Sequence, residues 1–158
     1  MKNQDGLFVN YEIAKELKWF GFDEPCFAAY TSKSAGFKLE ILSDYYNITT
    51  ELKNKTTINN SLFKYIKENN LGGTCYCLQD AVAAPLYQQV ADWFLENHNI
   101  KIDYAKGENP DNFYPVITDY AEKKEHNYKH IPVYWYETHY QALNSAIGFA
   151  FKLIKVKK

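Results

Sequence analysis

Arginine is absent from this chain; all 18 of its basic residues are lysine. That absence weighs against recognition built on the bidentate guanidinium fork, at guanine or at phosphate. Lysine can still hold a phosphate, but as a point charge. Net charge is nearly absent too. A formal value of −1 gives no general field to steer the protein onto nucleic acid, so no specific DNA or RNA recognition is expected. Cysteine is scarce: Cys26, Cys75 and Cys77 make a poor disulfide framework. Cys75 and Cys77 lie two apart on an expected strand over 74–78, pointing to one face. His98, His126, His130 and His139 stand at no zinc-type spacing from them, so free buried thiols are expected and no metal. No apolar run approaches the roughly 20 residues of a membrane span. The opening MKNQDGLFVN lacks a charged region followed by an apolar core, so a cytoplasmic setting, with no membrane partner, is expected. The sequons at Asn47 and Asn54 are then incidental.

Aromatic residues are abundant, at 14 Tyr, 10 Phe and 3 Trp. An A/T-rich coding sequence explains most of that bias, and exposed Tyr and Trp also offer stacking surfaces. At 158 residues the chain is the size of one α+β domain with a genuine core.

The pattern along the chain is helix, strand and turn in alternation. Asn10 caps a first helix whose buried stripe is Ile13, Ala14, Leu17 and Phe20, with Gly21 as its stop. Strands are predicted around 26–30 and 37–42, joined by Ser-Ala-Gly. Residues 43–60 read as a polar loop or insertion, followed by a short helix over 61–69 with Leu62, Phe63 and Ile66 inward. In AAPLYQQVADWFLENHNIKIDY, Pro85 suits a first helical turn, Leu86, Val90, Trp93, Phe94 and Asn97 form a stripe, and Asn97-His98-Asn99 ends it. Ile100, Ile102 and Tyr104 then alternate as a strand. A loop over 105–112, strands over 116–120 and 131–136, and a charged loop over 122–130 complete the sheet. Thr138 caps a last helix with Leu143, Ile147, Ala150, Phe151 and Ile154 on one face. The predicted fold is α+β, a mostly antiparallel or mixed sheet of about five to six strands with three to four helices on one face.

Motifs for catalysis are missing. The sequence holds no Walker-type loop, no Gly-x-Ser-x-Gly elbow, no His-Glu-x-x-His helix and no evident carboxylate pair. A Cys77 nucleophile with His139 or His98 has no local activating signature. No catalytic residue and no cofactor are assigned, and the chain is expected not to be an enzyme. Gln79 to Ala84, the turn before the central helix, can receive an anion at the helix N-terminus, although Asp80 reads first as a cap or turn former. The clearest surface is the sheet face away from the helices, expected to carry Lys38, Lys101, Asp103, Tyr134 and Tyr136, with His139 following the aromatic strand.

The order of a short N-terminal helix, GFDEPCFAAY, AAPLYQQVADWFLENHNIKIDY, VYWYETHY and an alanine-rich last helix resembles a group of small uncharacterised proteins carried by phages and prophages of Bacteroidetes-type bacteria. About half the chain carries this likeness. It implies a mobile-element origin, an α+β fold and a place inside the bacterial host, and it transfers no activity. Together with tyrosines beside lysines, which can stack a base and meet its phosphate, it leads to the expected function. That function is a phage accessory protein that sequesters a small nucleotide-like immune signal without catalysis, with a homo-oligomer possible. The alternatives are a module docking on a host or phage protein through the aromatic sheet face, and a small nucleotide hydrolase using His139 or His98.

Overall fold

Asn10 begins the first helix as the sequence predicts. Its Oδ1 accepts the Ile13 N–H at 3.0 Å, and helix α1 (Tyr11–Phe20) runs to Gly21, whose φ of 93° lies in the left-handed region. Only a residue without a Cβ takes that angle cheaply, and it lets the Phe22 N–H return to the Leu17 carbonyl at 2.9 Å. Ile13, Ala14 and Leu17 are buried. The computed structural model describes residues 6–33, 36–41, 57–69, 80–109, 111–127 and 135–156. The expected strand over 74–78 with Cys75 and Cys77, Gly72-Gly73, most of the 43–60 excursion and most of the 131–136 strand lie outside them.

The chain divides into two compact units, 1–86 and 87–158. In the first, β1 (Ala28–Lys33) is the centre of a three-stranded antiparallel sheet. It pairs with β2 (Gly36–Ile41) on one side and β3 (Val82–Ala84) on the other. Gly36, at φ 118°, starts β2. Helix α2 (Asn60–Glu68) is capped by Asn59, whose Oδ1 accepts from Leu62 N at 3.0 Å; Phe63 and Ile66 are its buried residues.

In the second unit, α3 (Tyr87–His98) ends at Asn99, which takes φ 57° and donates its N–H to the Leu95 carbonyl at 3.1 Å. Strands β4 (Ile100–Lys106), β5 (Phe113–Asp119) and β6 (Lys124–Asn127) form a second antiparallel sheet in that order. Register places Ile100, Ile102 and Ile117 on one face, all buried, and α3 and α4 (His139–Val156) pack on it with Phe94 and Phe151 edge to face, centroids 5.2 Å apart. Thr138 and Gln141 close a reciprocal cap at the start of α4, each side chain accepting the other's backbone N–H at 3.2 Å.

Three expectations are corrected. The strands of the described residues form two three-stranded sheets and not one sheet of five to six, because alternation shows that a strand has two faces without naming its neighbours. Residues 82–84, read as the turn before a helix starting at Pro85, are a wholly buried strand, and the helix starts at Tyr87. Residues 124–127, read as loop, form β6; buried Asp119 accepts the Ala121 and Glu122 N–H groups and shapes the turn that returns the chain onto β5.

The buried Asn60 joins three segments of the first unit. Its Oδ1 accepts the Ala83 N–H at 3.1 Å, an edge amide of β3, and its Nδ2 donates to the Phe22 carbonyl at 2.8 Å. Asn60→Ala strands both groups, and denaturant unfolding is expected to show a loss of about 2–4 kcal/mol. Asn60→Asp turns an acceptor toward the Phe22 carbonyl at neutral pH. Burial raises that carboxyl's pKa, so the deficit is present above the ordinary carboxylate range and shrinks on acidification, once the protonated group can donate.

Candidate functional site

The C-terminal turn of α1 with the residues that follow it, one face of α2 from Asn60 to Lys67, and Asp80, two residues before β3, line a cleft of about 610 Å³ within the first unit. This volume falls within the range that holds a small molecule. Phe22 and Phe63 supply its apolar base. Polar groups reach it from fixed positions. Asp23 sits at the start of α2, where its Oδ1 accepts the Ser61 N–H at 2.6 Å and its Oδ2 accepts from the Ser61 hydroxyl. A carboxylate there complements the positive end of the helix, so the α2 N-terminus is already occupied by the chain itself.

Three lysines line the cleft. Lys18, in the last turn of α1, donates through Nζ to the Ala81 carbonyl at 3.0 Å, 63 residues away in sequence. Loss of hydration, and then the like charge of Lys67, lower its pKa below the usual lysine value, while Asp80 acts the other way. The ammonium is therefore one that a bound anion would favour. Lys67 lies 3.0 Å from Asp80 Oδ1, and Lys64 lies 3.8 Å from Glu68 one helical turn on. Lys64, Lys67, Glu68 and Asp80 have mostly exposed side chains, so these two ion pairs are exchangeable.

The residues expected on a common sheet face do not belong to one sheet. Lys38 is exposed on β2, in the first unit, whereas Lys101 and Asp103 are on β4 and pair with each other at 3.2 Å. Tyr134 lies outside the described residues. Tyr136 bridges to Phe113 and so takes the helix-facing side of the second sheet, donating its hydroxyl to Ser145 Oγ at 2.9 Å. On the opposite face Tyr114 is buried. His139, the first residue of α4, lies among the rings of Tyr104, Phe113 and Tyr140, with centroids 5.3, 5.9 and 3.9 Å away. The expectation of one lysine-and-tyrosine face fails because the bridge at Phe113 sets Tyr136 toward α4 and because the strands belong to two sheets.

Of the cleft residues, sequence reasoning singled out Gly21 as a helix stop, Phe63 as a buried helix residue and Asp80 as a cap or turn former. Lys18 and Lys67 carried no signal beyond their place in the last turn of a helix. Among the described residues, no group of three or more His, Cys, Asp and Glu is placed to hold a metal, and no helix is long and apolar enough to cross a membrane. No protein-family model, no curated protein and no solved structure matches the chain.

Cys26 is fully buried and does not open on the cleft. Its backbone is held by mutual hydrogen bonds with Ile58, its Sγ donates to the Glu24 carbonyl at 3.4 Å, and burial, before the charges of Glu24 and Asp23, pushes the thiol pKa up to about 12. The thiolate, which is the nucleophile, is suppressed in the folded chain. Iodoacetamide at about pH 8.5 is therefore expected to label Cys26 roughly a hundredfold more slowly in the native protein than in concentrated guanidinium, by peptide mass spectrometry. Equal rates would contradict this burial.

Proposed function

We propose that this chain is a non-catalytic binding protein whose cleft takes up a small anionic, nucleotide-like molecule. The observation that carries the reading is the Lys18 ammonium, lining a cleft floored by Phe22 and Phe63 beside a second cation, Lys67. A planar group finds apolar contact at the base of such a cleft, and a phosphate finds ammonium donors at its rim. The likeness to phage-borne proteins supplies the setting: an accessory protein that withdraws a nucleotide signal from host defence. The site has moved from the sheet face expected from sequence to the cleft between α1 and α2. The hydrolase reading, with His139 or His98, has less support, because His139 is walled by the rings of Tyr104 and Tyr140 and His98 packs on Trp93 and Phe94. Docking on a protein through an aromatic sheet face has less to draw on as well, since Tyr136 is engaged by Ser145.

Calorimetric titration with nucleoside monophosphates, ADP-ribose and cyclic dinucleotides tests the reading, and the bound molecule should be recovered intact after denaturation. Lys18→Met keeps the apolar stem and removes the charge; it is expected to weaken binding about tenfold and, because it removes the Nζ donor of the buried Ala81 carbonyl, to lower the melting temperature modestly. Binding requires the protonated amine. Because Lys18 titrates below the ordinary lysine range, affinity should fall with rising pH before that range is reached. Absence of binding across the panel, or a Lys18→Met variant that binds as well as the parent, would refute the proposal.

A further inference from the structure

Lys67 already holds an anion inside the cleft. Its Nζ is 3.0 Å from Asp80 Oδ1, and the two side chains remain 58% and 64% exposed. A pair so open to solvent is weak and readily exchanged. Lys18, in contrast, donates to the uncharged Ala81 carbonyl, and an ammonium has three donors. The cleft at rest thus contains Lys67, a cation with a tethered carboxylate partner, beside Lys18, a cation hydrogen-bonded to a neutral carbonyl.

We infer that Asp80 is the resident counter-anion of the cleft and sets its selectivity, so that the site takes a terminal phosphate monoester and discriminates against singly charged anions. This rests on the reading that the cleft binds an anionic nucleotide. A carboxylate, or the phosphodiester of a cyclic nucleotide, replaces Asp80 at Lys67 charge for charge. It gains no electrostatic advantage and must compete with a group held nearby by the chain at high effective concentration. A phosphate monoester carries close to two charges near neutral pH and three terminal oxygens. It can displace Asp80 from Lys67 and meet Lys18 with the same group, and the freed carboxylate returns to water.

Nucleoside 5′-monophosphates and the matching 3′,5′-cyclic monophosphates share base and sugar and differ in phosphate charge and in the free 3′-hydroxyl, so they are the probes, and the Asp80→Asn variant isolates the charge. Titrated over the common bases, the native chain should prefer the monoester by roughly tenfold. Asp80→Asn should tighten the cyclic nucleotide by roughly three- to tenfold and the monoester by less, narrowing the gap. Lys67→Gln should narrow it from the other side, by weakening the monoester. Because Asp80 and Lys67 are exposed, both variants should melt close to the parent. Equal affinities in the native chain, an unchanged ratio in Asp80→Asn, or a loss of affinity there would each overturn the selectivity while leaving nucleotide binding in place. If neither nucleotide binds the native chain or Asp80→Asn, the binding reading itself has failed and the selectivity falls with it.

Discussion

The first unit depends on one carboxamide. Asn60 accepts from the outer edge of β3 and donates to the carbonyl that follows the glycine stop of α1. Val82-Ala83-Ala84 is too short, and its side chains are too small, to be held by apolar burial alone. Pairing with β1 satisfies one edge of that strand, and the Asn60 side chain takes the Ala83 N–H on the other. A buried amide left unpaired costs as much as a lost hydrogen bond. Asn60 therefore substitutes for a fourth strand with a single side chain. Asp23, one residue beyond Phe22, extends the same junction by closing on the Ser61 N–H.

This junction also makes the cleft. Because Asn60 and Asp23 hold the start of α2 against the end of α1, Lys18 and Lys67 reach one space from two helices. The Ala81 carbonyl, next to the clamped strand, accepts from Lys18, and Asp80 beside it pairs exchangeably with Lys67. Neighbouring residues entering β3 thus hold the two cations, so the placement of β3 decides the charge layout of the cleft.

Local features were legible in the sequence and long-range ones were not. Asn10, the stripe through Leu17 and the stop at Gly21 act within one helix, and so does the Thr138 cap. Asn97-His98-Asn99 likewise gave the end of α3, although Asn97 itself is exposed. β3 escaped because an alanine run before proline also suits a helix start, and what makes it a strand is pairing with residues more than 50 positions earlier. β6 escaped because Lys-Glu-His-Asn carries no apolar alternation; the turn at Asp119 and the partner β5 create it. The cleft was hidden for the same reason. Lys18 looks like a cation placed to complement a helix dipole, and only the folded chain brings it to Ala81.

The absence of arginine acquires a meaning at this site. A guanidinium facing Asp80 would lock into two parallel hydrogen bonds, and a ligand would have to break both. Lysine makes a compact, strongly hydrated contact with rotatable donors, so Lys67 can leave one oxygen for another through intermediates in which water fills the gap. A composition without arginine thus gives the cleft exchangeable partners. On the proposed function, specificity comes from how much charge the incoming group carries and from the apolar floor at Phe22 and Phe63. The geometry of a fork contributes nothing.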